Sequence, residues 1–354
     1  MPQRYEPPPD LAPESRQADV LREVVRQHIR SGEPIGSAAV TRGARLGLSS
    51  ASVRSVMAEL EERGLLCRPH ASAGRIPTDR AYRLYVDSLQ PRPRMAPTEA
   101  HAIEQALAGS RGELGELFVE ASRQLSRFSQ QVALVLAPDL DRIVVDHLEL
   151  VRLDAQRVMA IVVARSGVVH NRILPVDEPL DPAELERIGR YLSTEFGGLT
   201  LPAMRAALER SLGQERAIYD RLLARSLELG RRAVELGHEA ELFVEGASNL
   251  LSLPDFSDLE QLRALLRTLE DKRTLIDLLE RLIESAGVQV VIGQENPLFD
   301  LTRCSLVAST YGAGGRVLGS VGIVGPIRMP YGRAMALVDH LSRVLSQMLS
   351  EPEN

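Results

Sequence analysis

The run Ser49-Ser50-Ala51-Ser52-Val53-Arg54-Ser55 is where residue type and spacing in this chain point most directly to chemistry. Read as a helix at 100° per residue, Val53, Val56, Met57 and Leu60 form one narrow apolar stripe. Ala51, Arg54, Ser55, Ala58 and Glu62 fall on the opposite face. Small residues around one arginine allow a helix backbone to approach a major groove closely, which large exposed side chains would prevent. Arg54 can hold a guanine bidentately or clamp a phosphate. Ser49, Ser50, Ser52 and Ser55 can donate to phosphate oxygens beside a helix N-terminus, and Ser37, at the start of the preceding helix, joins them as a candidate. Glu59, Glu61 and Glu62 are expected to point away from phosphate.

Further on, Arg68-Pro69-His70-Ala71-Ser72-Ala73-Gly74-Arg75-Ile76-Pro77 sets two arginines and a histidine around a loop of small residues. Such a loop can follow a DNA backbone or dip into a minor groove. Arg68, His70, Ser72, Gly74 and Arg75 are its candidate contacts, with Thr78 and Arg83 beyond it. Two other readings stay open: trihelical heads also bind proteins, and serine or arginine can be plain surface. His70 is equally a satisfied turn residue.

These residues need elements to hold them. A helix is predicted from Ser15 to Ile29, with Ala18, Leu21, Val25 and Ile29 at helical spacing. Ser31-Gly32-Glu33-Pro34 breaks it. Ser37 is predicted to cap a second helix reaching Leu46, Gly47 to turn the chain, and Ser49 to cap a third from Ser50 to Arg63 that Gly64 ends. Leu65–Cys67 and Arg75–Ile76 read as two short strands. Thr78 caps a fourth helix ending near Leu89. Pro91, Pro93 and Pro97 mark a linker. Beyond it come a helix or two over 98–129, then strands at Val132–Ala137, Ile143–Leu153, Val158–Ala164 and Val168–Leu174. A helix follows from Pro182 to Phe196, and Pro202 to Ala286 reads as strongly helical. Strands resume at Val288–Ile292, Ser305–Thr310 and Val317–Val324, before a last helix from Gly332 to Leu349. Strands, then helices, then strands suggest an α/β domain with a helical insertion.

Charge supports a division of labour. Residues 16–94 carry 14 Arg against 8 Asp or Glu, a net of +6, while residues 95–354 have a net of −10. A basic head on an acidic body suits a DNA-contacting domain with a separate regulatory one. The 354 residues allow two or three domains. No run approaches the ~18 consecutive apolar residues of a membrane span. The polar, Pro- and Glu-rich start, Met1 to Asp10, is not a secretory signal, which places the chain in the cytoplasm. Cys67 and Cys304 have no zinc-ligand spacing and read as reduced thiols. No cofactor or metal is expected. No HExxH or GxSxG occurs, and the chain does not read as an enzyme.

Several blocks together resemble a known family. Gly32-Glu33-Pro34-Ile35-Gly36-Ser37, Ser49 to Arg54, Met57-Ala58-Glu59-Leu60-Glu61, Gly64-Leu65-Leu66, Pro69 to Thr78 and Tyr82-Arg83-Leu84-Tyr85-Val86-Asp87 are similar to the heat-inducible transcription repressor family HrcA. So are Val291-Ile292-Gly293-Gln294-Glu295 and Gly325-Pro326-Ile327-Arg328-Met329-Pro330-Tyr331 near the other end. The resemblance covers nearly everything after residue 15, and its Ser-Ala-Gly-Arg-Ile-Pro-Thr segment is specific. Departures are Ser55 where the family usually has Asn, Ala71 and Ile327 for Thr, and Ala81 for Gly.

The resemblance implies an α+β multidomain fold: an N-terminal winged helix-turn-helix, then a GAF-like α/β domain interrupted by a mainly helical dimerising insertion. Mapped onto this chain, the parts are a disordered tail (1–14), the winged helix (15–90), a linker (91–98), the GAF-like domain (99–198 and 287–350) and the insertion (199–286). It implies a repressor of class I heat-shock operons encoding the GroE and DnaK machines, bound as a homodimer to an inverted-repeat CIRCE-type operator in double-stranded DNA. It also implies that the GroE chaperonin keeps the repressor active until heat occupies the chaperonin with unfolded clients.

Other segments admit two readings each. Arg328 and Tyr331 could line a regulatory pocket, or tie domains together and cap a core. Gly312-Ala313-Gly314-Gly315, followed by strand-like Val317-Leu318, reads as a hairpin loop rather than a nucleotide loop. Met204, Leu208, Leu212, Leu222, Leu223, Leu227 and Leu229 could form a seam for a partner chain or pack within the chain. Two functional competitors remain: a small-metabolite sensor with the same DNA head, and a protein-interaction module that binds no DNA.

Overall fold

Helix α1 (Arg16–Ser31) begins where the Ser15 side chain accepts the Ala18 N–H, and it buries Ala18, Val20, Leu21, Val24 and Val25. It ends at Gly32, whose left-handed backbone (φ 70°) returns an N–H to His28. Helices α2 (Ser37–Gly43) and α3 (Ser50–Glu62) follow, burying Val40 and the stripe Val53, Met57 and Leu60. Strands β1 (Leu66–Cys67) and β2 (Ile76–Pro77) pair antiparallel, and Ile35 bridges to Arg75 as a further rung. Helix α4 (Asp79–Asp87) closes the unit. This is a computed structural model describing residues 11–12, 15–43, 47–70, 73–89, 94–110, 114–138, 144–165, 169–212, 221–234, 241–283, 287–296, 298, 301–313 and 316–350. The expected tail apart from residues 11–12, the end of the second helix at Leu46, residues 91–93 of the linker, and residues 314–315 lie outside the described residues.

Two expected caps differ in detail. Ser37 is the first helical residue rather than the cap. Thr78 holds the cap position of α4, but its hydroxyl donates to the Gly64 and Leu65 carbonyls at 2.9 and 3.1 Å. It ties the helix entry to the turn after α3.

The body holds a five-stranded antiparallel sheet in the order β7-β3-β10-β9-β8. Its strands are β3 (Val132–Leu136), β7 (Leu242–Glu245), β8 (Gln289–Ile292), β9 (Cys304–Ala313) and β10 (Arg316–Pro326). β3 is apolar throughout because it is buried on both faces. Ala133 and Val135 pack into the core beneath helices α5 (Pro97–Ala108) and α6 (Leu114–Ser129) and the C-terminal helix. Val132, Leu134 and Leu136 face Leu262, Leu265, Leu275 and Leu279 of a helix pair on the other side.

A second, three-stranded antiparallel sheet consists of β4 (Val145–Arg152), β5 (Arg157–Ala164) and β6 (Val169–Pro175). Helices α7 (Pro182–Phe196), α8 (Leu201–Leu212) and α9 (Arg221–Val234) pack with it. Leu148, Leu150, Val158, Ala160, Val162 and Leu174 alternate inward. Ser193 of α7 accepts the Leu148 N–H at 2.9 Å, and a side chain at Gly189 would crowd the Leu148 carbonyl. The helix thus closes the edge of β4.

The expected helical insertion at 199–286 does not match how the sheets divide. β4, β5 and β6 pair with one another, whereas β7, within the segment expected to be helical, pairs with β3. Helices α10 (Leu259–Glu270) and α11 (Lys272–Ile283) cover the larger sheet. The segment interposed in that sheet therefore runs from β4 to α9 and holds a three-stranded sheet as well as helices. Local patterning identifies a strand but not its sheet, because pairing is long-range. Of the residues that could form a partner seam or pack within the chain, Met204 and Leu208 of α8 and Leu227 and Leu229 of α9 are buried within the chain. The last helix, α12 (Tyr331–Met348), lies on the larger sheet. Among the described residues no helix is long and apolar enough to cross a membrane.

Candidate nucleic acid interface

The face of α3 away from its buried stripe is open. Ala51, Ser52, Arg54 and Ser55 are exposed. Arg54 makes no ion pair or hydrogen bond among the described residues, so its guanidinium is uncommitted. Ser49 caps the helix by accepting the Ser52 N–H at 3.1 Å, and its hydroxyl lies 2.9 Å from that of Ser52. The Ser37 and Ser50 hydroxyls are 3.1 Å apart, joining the start of α2 to the start of α3. Four hydroxyls thus gather at the N-terminus of the helix that carries Arg54. The partial positive charge of that terminus favours an anion.

The second candidate group behaves differently. Arg68 is exposed and donates to Glu61 at 3.1 Å. Arg75 is buried and donates from Nε to the same carboxylate oxygen at 2.8 Å, while its backbone exchanges hydrogen bonds with Ile35 at 2.8 and 2.9 Å. The hydrogen bond from Arg75 holds the Glu61 carboxyl below its ordinary range. Arg75, expected to contact DNA, instead fastens the β1–β2 ribbon to the back of α3. Gly74 has a packing reason, since a Cβ there would come within 2.6 Å of the Ile35 backbone. His70 is exposed, and Ser72 lies outside the described residues. Thr78 is turned inward, as described above.

Arg83 is the largest correction among the expected contacts. Its Nε donates to Glu295 Oε1 at 2.9 Å, and Nη2 reaches Glu295 Oε2 and, at 2.6 Å, the Val290 carbonyl. It is bonded to the body. The proposed pocket at Arg328 and Tyr331 is likewise filled. Tyr331 is fully buried, its hydroxyl 2.6 Å from both the Ile327 carbonyl and Ser305 Oγ. Arg328 pairs with Asp255 at 2.5 Å and lies against Gly32.

Sequence reasoning missed two contributors. Glu61 collects two arginines, and only its position between them could have hinted at it. Glu23, buried in α1, accepts from Arg26 and Gln27 at 2.9 and 2.8 Å. Gln27 also donates to the Ala39 carbonyl at 3.1 Å, fixing α2 against α1. A buried glutamate on an otherwise apolar helix stripe was the available sign.

These features first define a class: a mixed helix-and-sheet protein with a small four-helix head that presents, on one exposed helix face, an arginine with no partner among the described residues. The HrcA protein C terminal domain matches residues 115–335. Heat-inducible transcription repressors HrcA are similar over nearly the whole chain. That of Geobacter sulfurreducens is 39% identical over 330 residues, covering 93% of this chain and 96% of the relative. That of Syntrophobacter fumaroxidans is 36% identical, covering 95% and 97%, and that of Xanthomonas axonopodis pv. citri 38%, covering 97% of each. A crystal structure of a hypothetical protein shares the fold, with a TM-score of 0.65 and 23% identity over 96% of this chain and 99% of that one. The chain belongs to the HrcA family.

Proposed function

We propose that this chain is a heat-inducible transcription repressor that binds double-stranded DNA through the head as a winged helix-turn-helix, with α3 entering the major groove. The observation that carries this reading is Arg54, which has no partner among the described residues and shares an exposed helix face with Ala51, Ser52 and Ser55. The β1–β2 ribbon is the wing, presenting Arg68 and His70. The larger sheet with its covering helices is the GAF-like domain.

The three-stranded sheet supports dimerisation. Its inner face is covered by helices, but the rungs of its outer face are His147–Val163–Val169, Glu149–Ile161–Asn171 and Val151–Met159–Ile173. Val151, Val169 and Ile173 are 41, 45 and 53% exposed, an apolar surface that a second copy would cover. Two heads related by a twofold axis suit an inverted repeat. The targets are class I heat-shock operons carrying a CIRCE-type repeat, the GroE chaperonin keeps the repressor active, and the chain works in the cytoplasm.

Titrating a CIRCE duplex at rising salt tests the DNA contact. The logarithm of affinity falls with the logarithm of salt, with a slope of about −0.9 per phosphate neutralised. Added GroE chaperonin raises operator affinity. Salt-independent or absent binding contradicts the reading.

A further inference from the structure

The linker is not all that joins head and body. Helix α4 turns Asp79, Tyr82 and Arg83, which share one helical face, toward the larger sheet. Arg83 grips both oxygens of Glu295 and the Val290 carbonyl, with Asp87 at 3.6 Å. The Gln294 N–H donates to Asp79 at 3.0 Å. The end of α1 makes a second attachment. Gly32 presses on the Arg328 guanidinium, where a Cβ would sit 3.1 Å away, and Asp255 holds Arg328 from behind. Between these, His28 Nδ1 lies 2.6 Å from the Tyr82 hydroxyl, and the Tyr82 and Tyr331 rings are 6.0 Å apart.

Two helices of the head are therefore held by two separate segments of the body, residues 290–295 and 328–331, the second braced by Asp255. The contacts are directional: a bidentate guanidinium–carboxylate pair has one good geometry, whereas an apolar patch can slide. The segment from Ser88 to Ala96, by contrast, could span up to ~30 Å at about 3.3 Å per residue. On that segment alone the heads would reach half-sites at many separations.

We propose that this junction is a spacing ruler: Arg83 with Glu295, and Arg328 with Asp255, are positioning residues that fix each recognition helix relative to the dimer and so select the half-site separation of the operator. The inference rests on the dimeric, inverted-repeat reading above. Each added base pair moves a half-site by ~3.4 Å and turns it by about a tenth of a helical turn. A rigid junction rejects operators of the wrong phase, and a loose one accepts them.

The test is fluorescence anisotropy of the full chain on four duplexes: one half-site, the natural repeat, and repeats with two or five base pairs added between half-sites. For the wild type, five added base pairs remove most of the bivalent advantage, roughly a hundredfold. Arg83→Lys and Glu295→Gln each leave half-site affinity within about twofold, while the penalty for added base pairs falls below about threefold. The double reversal Arg83→Glu with Glu295→Arg restores part of the penalty that either single reversal removes, which keeps the test independent of simple misfolding. An unchanged spacing penalty in the single variants overturns the ruler. So does tighter binding of the natural repeat, which would make the junction a restraint on DNA binding. A wild type that does not prefer the repeat to the half-site refutes the dimeric reading instead.

Discussion

Arg75 and Glu61 meet at 2.8 Å behind helix α3, with the arginine buried and the carboxylate part-exposed. The pair joins the ribbon to the C-terminal half of α3, so one residue of the expected contact set helps fix the helix that carries others. Glu61→Gln removes the charge facing a buried guanidinium. The amide oxygen still accepts from Arg75, but a hydrogen bond to a charged group, worth about 1.5–3 kcal/mol, is weakened, and the head should lose part of that stability. Arg68→Ala, at an exposed pair, should cost at most about 1 kcal/mol. Thermal melts of both variants check the difference.

The same pair has a pH signature. Glu61 is held below its ordinary range, first by the Arg75 hydrogen bond. Its contribution is present above the ordinary carboxylate value and is lost as pH falls through the depressed one. The difference between acid melts of the wild type and Glu61→Gln should start to shrink near about pH 4 and go on closing as pH falls further. A difference that does not shrink on acidification contradicts the assignment.

His28 makes the opposite kind of link in the junction. Burial, then Arg328, pushes its pKa down, against Asp255 and Glu33. The folded protein prefers neutral imidazole. His28 therefore stabilises fully above its ordinary value of about 6.5, and the contribution is lost as pH falls through the lowered value. The melting advantage of the wild type over His28→Gln should shrink as pH drops from about 7.5 to 5. An advantage that grows on acidification would contradict this.

Arg54 has no partner among the described residues. Arg54→Ala should leave the melting temperature unchanged and weaken operator binding by about 1–3 kcal/mol if the residue reads a base. Equal losses on operator and random duplexes would reassign it to a phosphate.

The helices of the head were legible because each has a local cause. Val53, Met57 and Leu60 repeat at helical spacing, Ser15 and Ser49 cap, and Gly32 and Gly64 take up left-handed backbone. The fates of the arginines were not legible. Arg54, Arg75 and Arg83 look alike in sequence, yet one is free, one is buried on a carboxylate 14 residues away, and one is paired across 212 residues. What separates them is tertiary position, which periodicity does not carry. The same reason hid β7, four residues whose pairing with β3 lies more than a hundred residues back. Tyr331 was visible as part of a block but not as a buried hydroxyl satisfied by Ser305 and Ile327.

The outer sheet face should behave as an interface. Ile161→Asp places a carboxylate at its centre, and Ile173→Asp does so at an exposed rung. Either should give monomers in analytical ultracentrifugation, keep half-site binding, and lose the roughly hundredfold advantage of the full repeat. Unaltered dimers would exclude this face.

The account stands most directly on one comparison: anisotropy of the full chain on a CIRCE-type inverted repeat, a single half-site and a scrambled duplex at one fixed salt concentration. The account predicts tight binding to the full repeat, much weaker binding to the half-site, and only non-specific affinity for the scrambled duplex. Equal, weak binding to all three would contradict it.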